Sequence, residues 1–185
     1  MNEGKIYLLP LGLEDTRVLS QISEAVGKVF GMPTDRCPTA PVPEYAYSRR
    51  RGQYHSTVIL KSLGPHIPND ALRLLAVTDV DLYVPQLNFV FGETAVGGRE
   101  CIISLYRLRP EFYGELPDEH LFGERAAKEA IHELGHAFGL HHCHDPHCVM
   151  YFSNDIQDTD RKLGEFCGKC EEKLKTRLDS LKATA

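Results

Sequence analysis

The feature that most narrows what this chain can fold into is the run HELGHAFGLHH at residues 132–142, in which His132, His136 and His142 are set at offsets of four and six. Residues four apart lie on one face of an α-helix, one turn above the other, so His132 and His136 can reach a single ion. Glu133 sits beside His132 on the same side of that helix, close enough to take a proton from a metal-bound water without being a ligand itself. Gly139 can take a positive φ, so the helix can stop there and the chain can return with His142 as a third ligand. Three protein nitrogens leave a fourth position on the ion open, which distinguishes a catalytic metal from a closed structural one. The chemistry implied is zinc-assisted hydrolysis.

The flanking pattern supports a helix. Ala127, Ile131, Leu134 and Phe138 form one apolar stripe of a 3.6-residue period, so residues 123–138 are expected to be helical, with the histidines turned away from the stripe toward a cleft. Arg125 and Glu129 are expected to form an i, i+4 pair. His141, His144 and His147 crowd the same stretch but do not fit the spacing, and are expected at the surface or behind the ligands.

Four of the six cysteines form a C-x4-C pair, Cys143 and Cys148, and a C-x2-C pair, Cys167 and Cys170. Such pairs can close a tetrahedral four-thiolate zinc or form disulfides. The polar N-terminal residues do not resemble a secretion signal, so a reducing compartment and a structural zinc are expected. Residues 141–185 contain few large apolar side chains, and a metal cross-link there would supply order that burial does not. Cys37 and Cys101 have no partner pattern and are expected to be buried as small apolar groups.

Taken together, HExxHxxGxxH, the C-x4-C pair with Met150 close behind it and the CxxC pair resemble the archaemetzincin family of zinc metallopeptidases, within the metzincins. Residues 77–83 and 88–92 are also similar to that family. The resemblance implies a catalytic zinc on His132, His136 and His142 with Glu133 as general base. It further implies a second zinc on Cys143, Cys148, Cys167 and Cys170, and Met150 in a turn that floors the site. Phe152 stands where several metzincins carry a tyrosine able to approach the metal. The expected substrate is a peptide or protein, laid antiparallel along an edge strand with residues 93–99 as its rim. A zinc hydrolase of another acyl substrate and a non-catalytic zinc-stabilised binding module are the alternative readings.

Composition excludes little else. A net charge of −5, with Arg49–Arg51 the only basic run, gives nucleic acid no footprint, and that run is expected to be a solvated loop. No apolar run approaches the roughly 20 residues that span a bilayer. The reading is therefore a soluble, cytoplasmic monomer with no membrane or nucleic-acid partner.

Alternating patterns favour an α/β fold of metzincin type, with a mixed, mostly parallel sheet, a backing helix and an active-site helix. Strands are expected at 5–9, 72–77, 89–91 and 102–108. Helices are expected from an Asp15 cap to Gly31 along Val18, Ile22, Ala25, Val26 and Val29, at 53–63 before Gly64-Pro65, and at 169–181, with a Pro-rich loop at 37–43. One catalytic domain is expected, divided into an upper part, 1–140, and a small zinc-stabilised lower part, 141–185.

Overall fold

The computed structural model describes residues 4–13 and 15–184, with side chains as far as Leu181. In chain order the elements are β1 (Lys5–Leu11), α1 (Arg17–Phe30), β2 (Thr34–Arg36), β3 (Tyr47–Ser48), β4 (Gln53–His55), α2 (Ser56–Ser62), β5 (Ala71–Thr78) and β6 (Leu82–Tyr83). They continue with β7 (Gly92–Thr94), β8 (Glu100–Ser104), α3 (Glu119–Ala137), α4 (Ile156–Arg161) and α5 (Gly168–Thr184).

The main sheet runs β2-β1-β5-β8-β7, parallel throughout except for β7, which pairs antiparallel with β8 and forms an edge. A central parallel strand is covered on both faces and therefore reads as a near-continuous apolar run, which is what β5 shows. Side chains alternate between the faces. Ile6, Leu8, Leu75, Val77 and Ile103 pack against α1 and α3, while Leu9, Leu11, Leu74, Ala76 and Ile102 meet α2 and the loop around Cys37 and Ala40. Each fully buried aliphatic side chain in these layers contributes about 1.5–3 kcal/mol. Leu140, Val149, Met150, Ile156 and Leu174 join the α1/α3 layer, so the last third of the chain shares its apolar packing with the sheet.

Several local expectations shift. Asp15 is not the cap of α1: Thr16 holds that position, and the Asp15 carboxylate instead accepts the Arg17 backbone N–H at 3.0 Å and pairs with its guanidinium. The helix ends as expected at Gly31, φ 62°, and its buried stripe includes Leu19 and Phe30, with Ala25 and Val29 at its margin. Residues 53–55 form a strand rather than the start of a helix, because Tyr54 and His55 pair with Leu82 and Tyr83. The strand expected at 89–91 lies instead at 92–94, where Gly92, Glu93 and Thr94 pair with β8. The strand expected at 102–108 is β8, which stops at Ser104, since Ser104 Oγ donates to Val80 O and residues 106–108 turn into a 3-10 helix.

Arg51 is not a solvated loop residue. It donates to the carbonyls of Leu87 and Asn88 at 2.8 and 2.9 Å and stacks on Tyr83, fastening the chain that leads into β7. At the end of β5, Asp79 and Asp81 pair with Arg109 and Arg107, each at 2.7 Å, and fasten the crossover that precedes α3. No helix among the described residues is long and apolar enough to cross a membrane.

Candidate active site

The site is built on α3. Asp118 caps it, its carboxylate accepting the Leu121 N–H at 2.9 Å, and the helix runs unbroken to Ala137. From Glu129 to Phe138 every residue is buried, so the amphipathic stripe of the sequence becomes a helix packed around its catalytic end except where the cleft reaches it. This is why Arg125 and Glu129 do not pair with each other. Arg125 makes a two-pronged contact with Asp160, both bonds 2.7 Å, and Glu129 lies 2.9 Å from Lys162 and accepts the Thr159 hydroxyl at 3.2 Å.

Gly139, φ 92°, turns the chain after the helix, as the motif demands. His142 then comes back to the helix, its Nε2 3.2 Å from Nε2 of His136, which is itself 3.1 Å from Nε2 of His132. His132 Nδ1 donates to Val149 O at 2.7 Å and His136 Nδ1 donates to Leu140 O at 2.8 Å. A carbonyl can only accept, so both protons sit on Nδ1 and both Nε2 atoms are bare lone pairs. The short Nε2 separations are therefore not hydrogen bonds. Bare lone pairs so close repel unless a cation lies between them, and two ligands about 2.0–2.1 Å from a tetrahedral zinc would be about 3.3–3.4 Å apart. The imidazole set fits such an ion.

Burial favours the neutral imidazole at all three positions: His132 and His136 are held below the usual range, and His142 is lowered to about 4. The Lys162 ammonium acts in the same direction on each. That lysine is fully enclosed, and its contact with Glu129 is an ion pair without good hydrogen-bond alignment.

Glu133 is 5% exposed, and Thr94 Oγ1 donates to its Oε2 at 2.6 Å. Burial pushes its carboxyl up to about 8, with the Thr94 bond pulling the other way. Gly92 makes room for it: a β-carbon there would stand 2.6 Å from Glu133 Cγ and 2.7 Å from Ile102 O. The neighbouring Glu93 is used differently, since Ser56 and Thr57 hydroxyls donate to its carboxylate and tie the edge strand to α2.

Met150 lies fully buried under the helix, its sulfur against Gly135, where a β-carbon would overlap it. Phe152 stands over the open side, its ring centroid 4.9 Å from that of His142. A cleft of about 360 Å³ opens in front of the histidines, walled by Phe89, Phe91, Thr94, Glu133 and Phe152.

Cys143, Cys148, Cys167 and Cys170 converge, all four sulfurs within 4.8 Å of one another, and none is in a disulfide. The Cys143 and Cys167 sulfurs are 3.7 Å apart. A disulfide would bring them to about 2.05 Å, whereas the edge of a zinc tetrahedron with Zn–S near 2.3 Å is about 3.8 Å. The Cys167 backbone N–H donates to Cys148 Sγ at 3.3 Å, a bond that suits a thiolate. Burial holds the Cys148 and Cys170 thiols up, whereas hydrogen bonds, first from the Cys170 backbone, hold the Cys167 thiol down and favour its thiolate. The thiol set fits a closed structural metal.

Among the described residues these are the two groups that converge on a metal-sized space, and His141, His144 and His147 belong to neither. Cys37 and Cys101 are buried, 8% and 0% exposed. Sequence reasoning gave no role to Gly135 or Lys162, and placed Gly92 and Thr94 in segments of interest without their contacts to Glu133. Only Gly135 left a signal: a glycine inside a helix costs about 1 kcal/mol relative to alanine and marks a close approach.

The chain is similar in sequence and fold to known proteins. Residues 42–176 match the pattern of Peptidase family M54. The archaemetzincin of Methanocaldococcus jannaschii is 47% identical over 173 residues, 94% of each chain. Among solved structures, the archaemetzincin of Methanopyrus kandleri superposes with a TM-score of 0.83 at 37% identity over 96% of this chain and 97% of that one. The archaemetzincin of Archaeoglobus fulgidus, in complex with malonate, does so with a TM-score of 0.81 at 39% identity over 91% and 99%. The chain belongs to peptidase family M54, the archaemetzincins, and is a zinc metallopeptidase.

Proposed function

We propose that the chain hydrolyses peptide bonds with Glu133 as general base, using a zinc held by His132, His136 and His142, and that a second zinc held by Cys143, Cys148, Cys167 and Cys170 is structural. The observation that carries this reading is the conjunction of three convergent Nε2 atoms with a buried carboxylate fixed by Thr94 at 2.6 Å. Zinc, when bound, supplies Lewis acidity toward a water and toward the scissile carbonyl.

The rest of the chemistry belongs to the chain. Glu133 accepts a proton from the attacking water as the new C–O bond forms, and gives it to the amide nitrogen as the C–N bond breaks. The products are a carboxylate and an amine. Thr94 keeps Oε2 engaged, which directs Oε1 to the proton transfer. Val149 O and Leu140 O fix the two helix imidazoles through Nδ1 and leave their Nε2 atoms free, as the residues that would hold a zinc require. Met150 supports the helix from below and Phe152 keeps one side of the cleft apolar.

A substrate backbone can add to the exposed edge of β7, the free side of a sheet whose other neighbour is β8. Phe89, Phe91 and Phe152 in the cleft wall favour an apolar side chain next to the scissile bond. All of these groups come from one chain, so a monomer suffices. Six free thiols and a thiolate metal site suit a reducing compartment, which supports a cytoplasmic enzyme.

The test is Glu133→Gln in the zinc-loaded protein. The variant should retain both zinc ions and its fold while peptide hydrolysis falls by at least about 10²-fold, the usual worth of a positioned base. Hydrolysis at the wild-type rate would remove Glu133 from that role.

A further inference from the structure

A second cavity, about 410 Å³, lies beside the turn that delivers His142 and is separate from the catalytic cleft. Its walls include Arg73, Gly97, Phe138, His141 and Arg177, and no aspartate or glutamate lines it. That charge balance is unusual for a chain with 26 acidic residues and a net charge of −5.

Arg73 is the key group. It stands at the start of β5, 7% exposed, on the face that meets α3. Nε donates to Ala137 O at 2.9 Å and Nη1 to Leu72 O at 2.7 Å, and the guanidinium stacks on Phe138 at 4.4 Å. These partners are carbonyl dipoles and a ring face. The end of α3 offers partial negative charge, but among the described residues no carboxylate pairs with Arg73 to compensate the full charge. Arginine is seldom this buried without an anionic partner, because desolvating its charge is costly.

Arg177 of α5 lies over Gly139 at the mouth of the same cavity, and no ion pair among the described residues involves it. Its Nε would stand 3.4 Å from a β-carbon at that position, about van der Waals contact, so Arg177 packs directly on the turn. The nearby amides are not available as donors, since Gly97 N and Gly139 N both donate to His136 O. The charged groups in the wall are the two guanidinium groups, whose planar forks match oxyanions.

We propose that this cavity is an anion site that takes a carboxylate or phosphate group between Arg73 and Arg177. The proposal does not depend on the assignment of the catalytic base or on peptide hydrolysis. A bound oxyanion supplies the counter-charge that Arg73 lacks. Two sources offer that chemistry: a free small anion, or an acidic side chain of a bound polypeptide.

The experiment is calorimetric titration of the zinc-loaded protein and its Arg177→Glu variant, first with inorganic phosphate, then with a pair of peptides that differ only in glutamate against glutamine. Arg177 is exposed and outside the catalytic machinery, so this variant should fold, and Arg73→Lys provides a second, charge-conserving test. Saturable phosphate binding weakened by at least about tenfold in Arg177→Glu identifies a free-anion site, since losing one charge-assisted contact is worth that much. A response confined to the glutamate peptide and lost in Arg177→Glu identifies an acidic side chain as the ligand. Phosphate binding untouched by Arg177→Glu, with glutamate and glutamine peptides behaving alike, overturns the proposal.

Discussion

The sulfur of Met150 rests against the backbone of Gly135 so closely that any β-carbon at that position would occupy the same space. The glycine lies between the two helix histidines, and Met150 lies one residue after Val149, whose carbonyl orients His132. One close contact thus sets the helix, the floor beneath it and the orientation of a ligand.

Gly135→Ala separates helix propensity from packing. In an open helix the substitution would add about 1 kcal/mol. Here the added carbon must displace Met150 or the backbone, and over-packing a buried site costs about 1–3 kcal/mol. We expect a net loss, a melting temperature lower by roughly 2–6 °C for a chain of this size, and weaker zinc binding by the three-histidine site. Thermal denaturation with metal analysis checks it, and a rise in melting temperature would refute the account.

Gly92 plays the matching part above the helix. A side chain at Gly92 would meet both the Glu133 carboxylate and Ile102 O, and the latter is backbone that cannot swing aside. Gly92→Ala should therefore misplace the carboxylate and lower kcat/KM by about 10²-fold, comparable to losing the base. Thr94→Val is the gentler probe, removing the hydroxyl that holds Oε2 while preserving shape. It should lower kcat by about tenfold, the worth of one charge-assisted hydrogen bond, with zinc content unchanged. Zinc loss in Thr94→Val would point to a structural role instead.

How much of this was legible before the structure depended on what kind of signal each residue leaves. His132, His136, His142 and the four cysteines are rare residues at offsets fixed by helix and loop geometry, and sequence alone grouped them as the structure does. Thr94 and Lys162 left no trace, because each matters only through a partner more than 30 positions away. The edge strand was misjudged for a related reason. Phe89 and Phe91 have the aromatic character of strand residues, but Phe89 is engaged by Arg107 at 4.4 Å, and the ladder forms at Gly92–Thr94, where Glu133 needs the room. Arg125 and Glu129 likewise looked like a helix-surface pair, and burial of that face sent each to a partner in or just after α4.

Cys143 couples the two proposed metal sites. Its backbone N–H donates to Met150 O at 2.9 Å, and it bridges Tyr151, so the residue after His142 is fastened to the floor of the site by main chain and to the thiol cluster by its sulfur. Cys143→Ser should leave the three imidazoles in place chemically yet loosen the loop that carries the third. We expect zinc affinity at the three-histidine site to fall by roughly tenfold, as when a supporting residue behind a metal ligand is lost. Competition against a chromophoric chelator measures it, and an unchanged affinity would separate the two sites.

The buried pair of Lys162 and Glu129 tests what lies behind the histidines. Lys162 is wholly enclosed, its ammonium 2.9 Å from Glu129, one helical turn before Glu133. Removing one member strands the other as an uncompensated charge beside the metal site. Lys162→Met should therefore destabilise the protein by about 3–5 kcal/mol, and Glu129→Leu by a similar amount. The double variant removes both charges at once and should recover much of that loss, because a buried ion pair is often no more stable than apolar side chains of similar volume. Denaturant unfolding of the four proteins gives the coupling energy directly. Additive losses in the double variant would mean that each side chain is held by its own surroundings, and that the pair does not act as a unit behind His132 and Glu133.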